Sequence, residues 1–200
     1  MSKLLQINSS VFSAGGQSTQ LANHYVEIWK KAHPSASVTV RDLSIEAVPH
    51  LDGARVGAFF TPAEQRSDEQ KAVIAYSDSL IAELQAADTI VLAAPMYNFT
   101  VPSQLKAYFD HIARAGVTFK YTETGPVGLL TGKKAVVFST RGGFYANTPN
   151  DTETNYIRQF LGFLGITEVN FVYAEGLAYG EDKKQAAIEA AKKTVEQIAA

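Results

Sequence analysis

Three glycine-bearing or proline-bearing stretches carry the residue types that could do chemistry. The first runs from Asn8-Ser9-Ser10 to Gly15-Gly16-Gln17-Ser18. It places hydroxyls and backbone amides just ahead of a helical pattern, which is how a phosphate is held at a helix N-terminus. The alternative is an ordinary polar loop in which Ser18 caps the helix. No Gly-Lys-Ser/Thr closes it and no Gly-x-Gly-x-x-Gly occurs in the chain, so neither a Walker loop nor a dedicated dinucleotide fold is indicated. The second stretch is Pro95-Met96-Tyr97-Asn98-Phe99, between the apolar run Ile90-Val91-Leu92 and a helical pattern that begins after Pro102. Proline fixes the backbone there, and the next four residues offer a thioether, a phenol, an amide and a ring. The third is Thr140-Arg141-Gly142-Gly143. Paired glycines let backbone amides approach a ligand closely, although a plain tight turn uses them equally well.

These stretches act together only if the fold brings them together. Short stretches at 4–7, 37–41 (centred on Val38 and Val40), 89–94, 134–140 and 168–173 read as strands. Helical periodicity covers 18–31, 67–86, 152–164 and 181–199, with a further helix after Pro102 whose inner face is Leu105, Tyr108, Phe109 and Ile112. In the 152–164 helix the spacing turns Tyr156, Phe160 and Phe163-Leu164 inward. Residues 43–62 read as a long irregular loop containing the pair Phe59-Phe60, and loops of that length are usually functional or cover a partner. Residues 116–132 break the rhythm. Val117 to Tyr121 alternates like a strand and Glu123-Thr124-Gly125-Pro126 is turn chemistry, which predicts a hairpin projecting from the top of the sheet. Five strands alternating with helices predict a doubly wound α/β fold, a five-stranded parallel sheet in the flavodoxin-like order 2-1-3-4-5 with helices on both faces. Residues 1–200 form a single domain in this reading. The C-terminal ends of strands one, three and four are then neighbours, and the three stretches converge.

Composition narrows the function. The formal net charge is -2, without the basic excess of a nucleic-acid binder. There is no cysteine, which excludes thiolate catalysis and Fe–S ligation. The four histidines, His24, His33, His50 and His111, lack metal-ligand spacing, so no metal site is expected. Neither a secretion signal nor a run of membrane-spanning length is visible. A cytoplasmic enzyme or carrier is expected.

A flavin suits the three loops. Its polar edge needs hydrogen-bond donors and its faces need flat apolar contact. Amides near Asn98 and Phe99 could serve the N5/O4 side, Met96 and Tyr97 the dimethylbenzene and ribityl side. Donors at Gly142-Gly143 would meet the negative charge that reduction develops at N1/O2. Aromatic walls for a stacked acceptor could come from Phe99, Phe119, Tyr121, Phe144, Tyr145 and Phe163, although helical spacing makes Phe163 equally a core residue.

Ala94-Pro95-Met96-Tyr97-Asn98-Phe99, Arg141-Gly142-Gly143, Ala113-Arg114-Ala115-Gly116-Val117-Thr118-Phe119 and Phe160-Leu161-Gly162-Phe163-Leu164-Gly165-Ile166 together resemble the bacterial FMN-dependent NADH azoreductases, which are flavodoxin-like quinone oxidoreductases. The resemblance runs from the first strand to the last helix. It implies a homodimer with two FMN sites at the interface, NADH as electron donor, ping-pong two-electron reduction of quinones, and reductive cleavage of aromatic azo compounds. Carried onto this chain it places FMN contacts at Ser10, Gly16, Gln17, Ser18, Pro95, Met96, Tyr97, Asn98, Phe99, Thr140, Arg141, Gly142 and Gly143. Acceptor contacts fall at Asn98, Phe99, Phe119, Tyr121, Phe144, Tyr145 and Phe163, and no side chain acts as nucleophile. Two departures stand out. Gly16 replaces a serine of some relatives, so a backbone amide must serve the phosphate. Tyr145 and Asn147 replace histidine and acidic residues. The rival readings are a flavodoxin-type electron carrier and a flavin-binding regulatory protein without acceptor turnover.

Overall fold

The computed structural model describes residues 2–199. Strands β1 (Lys3–Asn8), β2 (Ser37–Asp42), β3 (Thr89–Pro95), β6 (Lys134–Thr140) and β7 (Glu168–Ala174) form one parallel sheet in the order β2-β1-β3-β6-β7. Among the sheet's own five strands this is the expected pattern 2-1-3-4-5. Side chains alternate across it. Leu5, Ile7, Ile90, Leu92, Ala135 and Val137 face one apolar layer, which is closed by α3 (Asp68–Ala86), α4 (Ser103–Ile112) and α5 (Thr152–Leu164). Leu4, Val91, Ala93, Val136 and Phe138 face the other, beneath α1 (Gln17–Ala32) and α6 (Glu181–Ile198). The central strand β3 is buried on both faces, as its unbroken apolar run requires.

Helix α3 starts on a capping box: Gln70 N–H donates to Ser67 Oγ, and Ser67 N–H donates to Gln70 Oε1. Two expectations need correction here. Residues 43–62 are not irregular throughout but contain an eight-residue helix, α2 (Gly53–Phe60), capped by Asp52, whose Oδ1 accepts from Arg55 N–H. In that helix Phe60 is exposed, whereas Phe59 meets His111 edge-on at 6.2 Å. In α5 the fully buried face is Ile157, Leu161 and Leu164, while Tyr156, Phe160 and Phe163 pack around its margin.

The hairpin exists, as β4 (Phe119–Thr122) paired antiparallel with β5 (Gly125–Gly128). It does not project from the top of the sheet. Leu130 N–H donates to Leu164 O at 2.8 Å. A Cβ on Gly128 would lie 2.1 Å from Gly165 N, so β5 rests on the backbone at the C-terminal end of α5. Thr118 Oγ1 donates to Ile112 O at the end of α4. Both helices run antiparallel to the strands, so these ends mark the opposite edge from the loops after β1, β3 and β6.

Candidate functional site

The loop after β1 is pinned to β3, because Ser9 donates to Ala93 O from both its amide (3.1 Å) and its hydroxyl (2.7 Å). One 3-10 turn, Ser13–Gly15, follows, and Gly16 is the N-cap of α1. A Cβ on Gly16 would sit 2.2 Å from Ser10 Oγ. The place a larger residue would take at 16 is therefore filled by Ser10, which accepts from Phe12 N–H (3.2 Å) and lies 3.4 Å from the Tyr97 hydroxyl. Ser18 is not the cap. It is the second residue of α1, fully buried, and its hydroxyl has no protein partner among the described residues. A buried hydroxyl without a partner in the first turn, beside amides that α1 leaves unpaired, is what an oxyanion would satisfy.

The loop after β3 is a tight reversal. Tyr97 N–H donates to Thr100 O at 2.9 Å and Thr100 N–H returns to Tyr97 O at 3.1 Å. Between them Asn98 and Phe99 both have left-handed φ, 49° and 68°. For a phenylalanine that conformation is strained. The Thr152 hydroxyl at the head of α5 donates to Phe99 O and holds the turn. The amides of Asn98 and Phe99, at the centre of the turn, have no acceptor within it. The Phe99 ring is exposed and meets Tyr145 edge-on at 5.8 Å.

In the loop after β6 the carbonyls of Arg141, Gly142 and Gly143 accept from the amides of Leu177, Ala178 and Gly176. That fixes the peptide planes and turns the Gly142 and Gly143 amides away from that neighbour. Thr140 O accepts from Met96 N–H at 2.9 Å, which joins the second and third loops. Arg141 departs from expectation. Its side chain is 0% exposed and points inward, so only its backbone can meet a ligand. The guanidinium lies 2.9 Å from Asp151, 3.1 Å from Glu153 and 3.3 Å from Glu175, and donates to the Ser139 and Thr154 hydroxyls. Glu175 Oε1 also accepts from the amides of Tyr145 and Ala146. This cluster is the internal brace of the loop. Burial pushes Glu153 up to about 7.

Ser10, Gly16, Gln17, Pro95, Met96, Tyr97, Thr140, Arg141 and Gly142 line one cavity of about 340 Å³. Phe12, Leu177 and Lys184 also line it. None of these three is marked in the sequence as part of the site; Lys184, for one, arrives from the last helix, and no spacing connects it to the first loop. A cavity of about 400 Å³ around Trp29, His33, Asp88 and Lys134 gathers no loop from the C-terminal strand ends, and the donors described above are not in it.

The aromatic candidates separate into two groups. Phe99 and Tyr145 meet beside the cradle, and Phe144 lies over Gly176 and against Tyr179 at 5.4 Å. Phe119 and Tyr121 on the hairpin and Phe163 near the end of α5 form a second group. Phe119 is 6% exposed and packs on Phe163 at 4.3 Å, while Tyr121 is 74% exposed. Helix α5 has 13 residues and is about 20 Å long at a rise of about 1.5 Å per residue. Its N-terminal end is tied to Phe99 and its C-terminal end to the hairpin, so one chain cannot bring the two groups to one ring.

The donor set fits a flavin mononucleotide: an unspent hydroxyl and helix amides for a phosphate, and backbone amides at 98–99 and 142–143 for the polar edge of a ring. Fold and cradle together define a flavodoxin-like mononucleotide-binding protein. Residues 2–199 match the family described as having a flavodoxin-like fold. The chain is 58% identical over 197 residues to the FMN-dependent NADH:quinone oxidoreductase of Cellvibrio japonicus, with 98% of each chain covered. It is 57% identical over 189 residues to that of Alcanivorax borkumensis, covering 94% of this chain and 96% of the relative. Its structure superimposes on an azoreductase from Bacillus anthracis at a TM-score of 0.91, with 30% identity and 100% and 99% of the two chains covered. A second B. anthracis structure, an FMN-dependent NADH-azoreductase in complex with FMN, gives 0.88 with 28% identity and full coverage of both. The chain belongs to the family of flavodoxin-like FMN-dependent NADH:quinone oxidoreductases.

Proposed function

We propose that the protein is an FMN-dependent NADH:quinone oxidoreductase that also cleaves aromatic azo bonds reductively. The observation that carries this is the convergence of three sequence-distant loops on one cavity, lined by Gly16 and Gln17, by Pro95, Met96 and Tyr97, and by Thr140, Arg141 and Gly142, with the unspent Ser18 hydroxyl next in the chain to Gln17 and Gly143 next to Gly142. When bound, FMN supplies the two-electron chemistry by accepting and returning a hydride equivalent. The chain supplies position and field. Ser10, Gly16, Gln17 and Ser18 hold the phosphate, Met96 and Tyr97 flank the ribityl side, and Asn98 and Phe99 offer amides to the ring. The Gly142 and Gly143 amides stabilise negative charge at its pyrimidine edge. Phe99, Tyr145 and Phe144 border the position where NADH and then the acceptor stack in turn.

The working unit in this reading is a homodimer, in which the hairpin of one copy brings Tyr121, backed by Phe119 and Phe163, to the cradle of the other. Support comes from the separation of the two aromatic groups along α5. An apolar recess of about 590 Å³ also opens beside the cradle on the α4–α5 side, lined by Val11, Tyr97, Val101, Pro102 and Tyr156 among others. Among the described residues no helix is long and apolar enough to cross a membrane, and a cytoplasmic setting fits a cysteine-free enzyme that draws on NADH. The test is an anaerobic absorption spectrum of the purified protein before NADH, after NADH, and after a quinone is added. The flavin bands bleach and then return. Binding of FMN without bleaching by NADH would favour an electron carrier and overturn the proposal.

A further inference from the structure

Behind the Gly142-Gly143 turn lies a buried charge cluster that the reaction as described leaves unused. One guanidinium, Arg141, faces three carboxylates. Three ionised carboxylates around one cation would bury excess negative charge, and such charge is expensive without partners. Hydrogen bonding decides which carboxylate gives way. Asp151 accepts from Thr154 N–H as the cap of α5, and burial notwithstanding, its bonds to Arg141 and Thr154 hold it below the usual carboxylate range. Glu175 Oε1 accepts two backbone amides as well as facing Arg141, and its side chain is 16% exposed. Glu153 is fully buried. Its Oε2 accepts from Ser139 Oγ (2.7 Å) and Arg141 Nε (3.1 Å), but its Oε1 has no protein partner among the described residues. The remaining polar neighbours are the Thr154 hydroxyl and, bonded to it at 3.1 Å, the Tyr173 hydroxyl. Glu153 is therefore the member whose unpartnered oxygen is also sealed from water, where a proton costs least, and burial places its titration at about 7.

Resting on the functional reading above, we infer that Glu153 is a positioning residue that takes up a proton when the ring held at Gly142-Gly143 is reduced. In that step NADH loses a hydride from its nicotinamide and leaves as NAD, and the ring gains two electrons and one proton, hence one unit of negative charge. That charge develops at the edge served by the Gly142 and Gly143 amides, next in the chain to Arg141. It competes with Glu153 for the field of the same guanidinium, and a solvent proton compensates by forming an O–H bond at Oε1. Glu175, the partly exposed member, connects the cluster to water. When a quinone takes the hydride equivalent, Glu153 returns its proton to solvent, and across the full cycle the quinone consumes one solvent proton in becoming the quinol. The brace thus keeps the loop's charge nearly constant in both halves of the cycle.

The test is reduced-minus-oxidised infrared difference spectroscopy of the FMN-loaded protein near pH 7. Reduction is electrochemical, so that the result does not depend on NADH. Wild type should gain a protonated-carboxyl band that shifts in D2O, and Glu153→Gln should lack it. Proton uptake per flavin, read with an indicator dye in weak buffer, should fall in the variant by the same amount. No carboxyl band in wild type, or a band that persists in Glu153→Gln, overturns the inference. Should glutamine at 153 prevent folding, Glu153→Asp must shift the band, and an unshifted band overturns it equally. Failure of NADH to bleach the flavin would count against the functional reading, whereas a missing carboxyl band counts against this inference alone.

Discussion

At the scale of single residues, the phosphate end of the cradle turns on a steric exchange between Ser10 and Gly16. With a Cβ at 16 only 2.2 Å from Ser10 Oγ and 2.5 Å from Ser10 Cβ, the two positions share one volume. Gly16→Ser alone should weaken FMN binding about tenfold, whereas Ser10→Gly combined with Gly16→Ser should recover most of it, a coupling of about 1–2 kcal/mol. FMN dissociation constants from fluorescence quenching of the four proteins close the cycle, and strictly additive effects would refute the shared volume. Glu153 gives a second prediction, on stability. Its folded value is raised from 4.5 to about 7, chiefly by burial. A raised group stabilises the fold fully below its unfolded value, and that contribution is lost as pH rises through the folded one. Asp151, held low, behaves oppositely and loses its contribution only in acid. From about pH 4.5 to 7 the apoprotein should therefore lose up to about 3 kcal/mol that Glu153→Gln does not lose. Denaturant midpoints that run parallel for the two proteins across that window would show that Glu153 ionises normally.

The elements show what the amino-acid sequence makes legible and what it hides. The bounds of strand β6 and helix α5 are legible, because the apolar run Ala135–Phe138 is flanked by polar residues and α5 is punctuated by Asp151 before it and Gly165 after it. Helix α2 is hidden in the sequence because Gly53 and Gly57 lie in it and each glycine costs a helix about 1 kcal/mol. Its stability is tertiary, from buried Ala58 and from Phe59 against His111. Nothing lies within 4 Å of a Cβ built on either glycine. Gly57→Ala should accordingly stabilise the protein by about 0.5–1 kcal/mol. An unchanged or lowered midpoint in urea would mean that α2 needs the freedom glycine gives it. The existence of the hairpin was legible from alternation and turn residues, but its edge of the sheet was not. That placement depends on Gly128 meeting Gly165 backbone to backbone, a long-range contact with no local signature. In the site, the glycine-bearing and polar loops legible in the sequence supply Ser10, Gly16, Gln17, Thr140 and Gly142 to one cavity. The inward turn of Arg141 was invisible because its carboxylate partners at 151, 153 and 175 are scattered along two loops and a helix.

The whole molecule raises a problem that one chain cannot solve. The cradle lies at the C-terminal edge of the sheet and the exposed Tyr121 at the other, separated by the length of α5. If both serve one acceptor, the second must come from another copy, and a two-fold arrangement gives each cradle its partner's hairpin. Subunit complementation tests this directly. Gly16→Leu should abolish FMN binding, since its Cβ collides with Ser10, while leaving the hairpin intact. Tyr121→Ala should leave FMN bound, because the side chain is 74% exposed and remote from the loaded chain's own cradle, but it should lower quinone turnover. Co-expressed under different tags and purified through both, the heterodimer has one cradle that is intact and faces an intact hairpin. Random pairing in the unfractionated mixture should restore roughly a quarter of wild-type turnover, and the doubly tagged fraction roughly half. If Tyr121 instead served its own chain, every loaded cradle in the mixture would still face alanine. Turnover per bound flavin would then stay at the level of the Tyr121→Ala homodimer however the chains were paired.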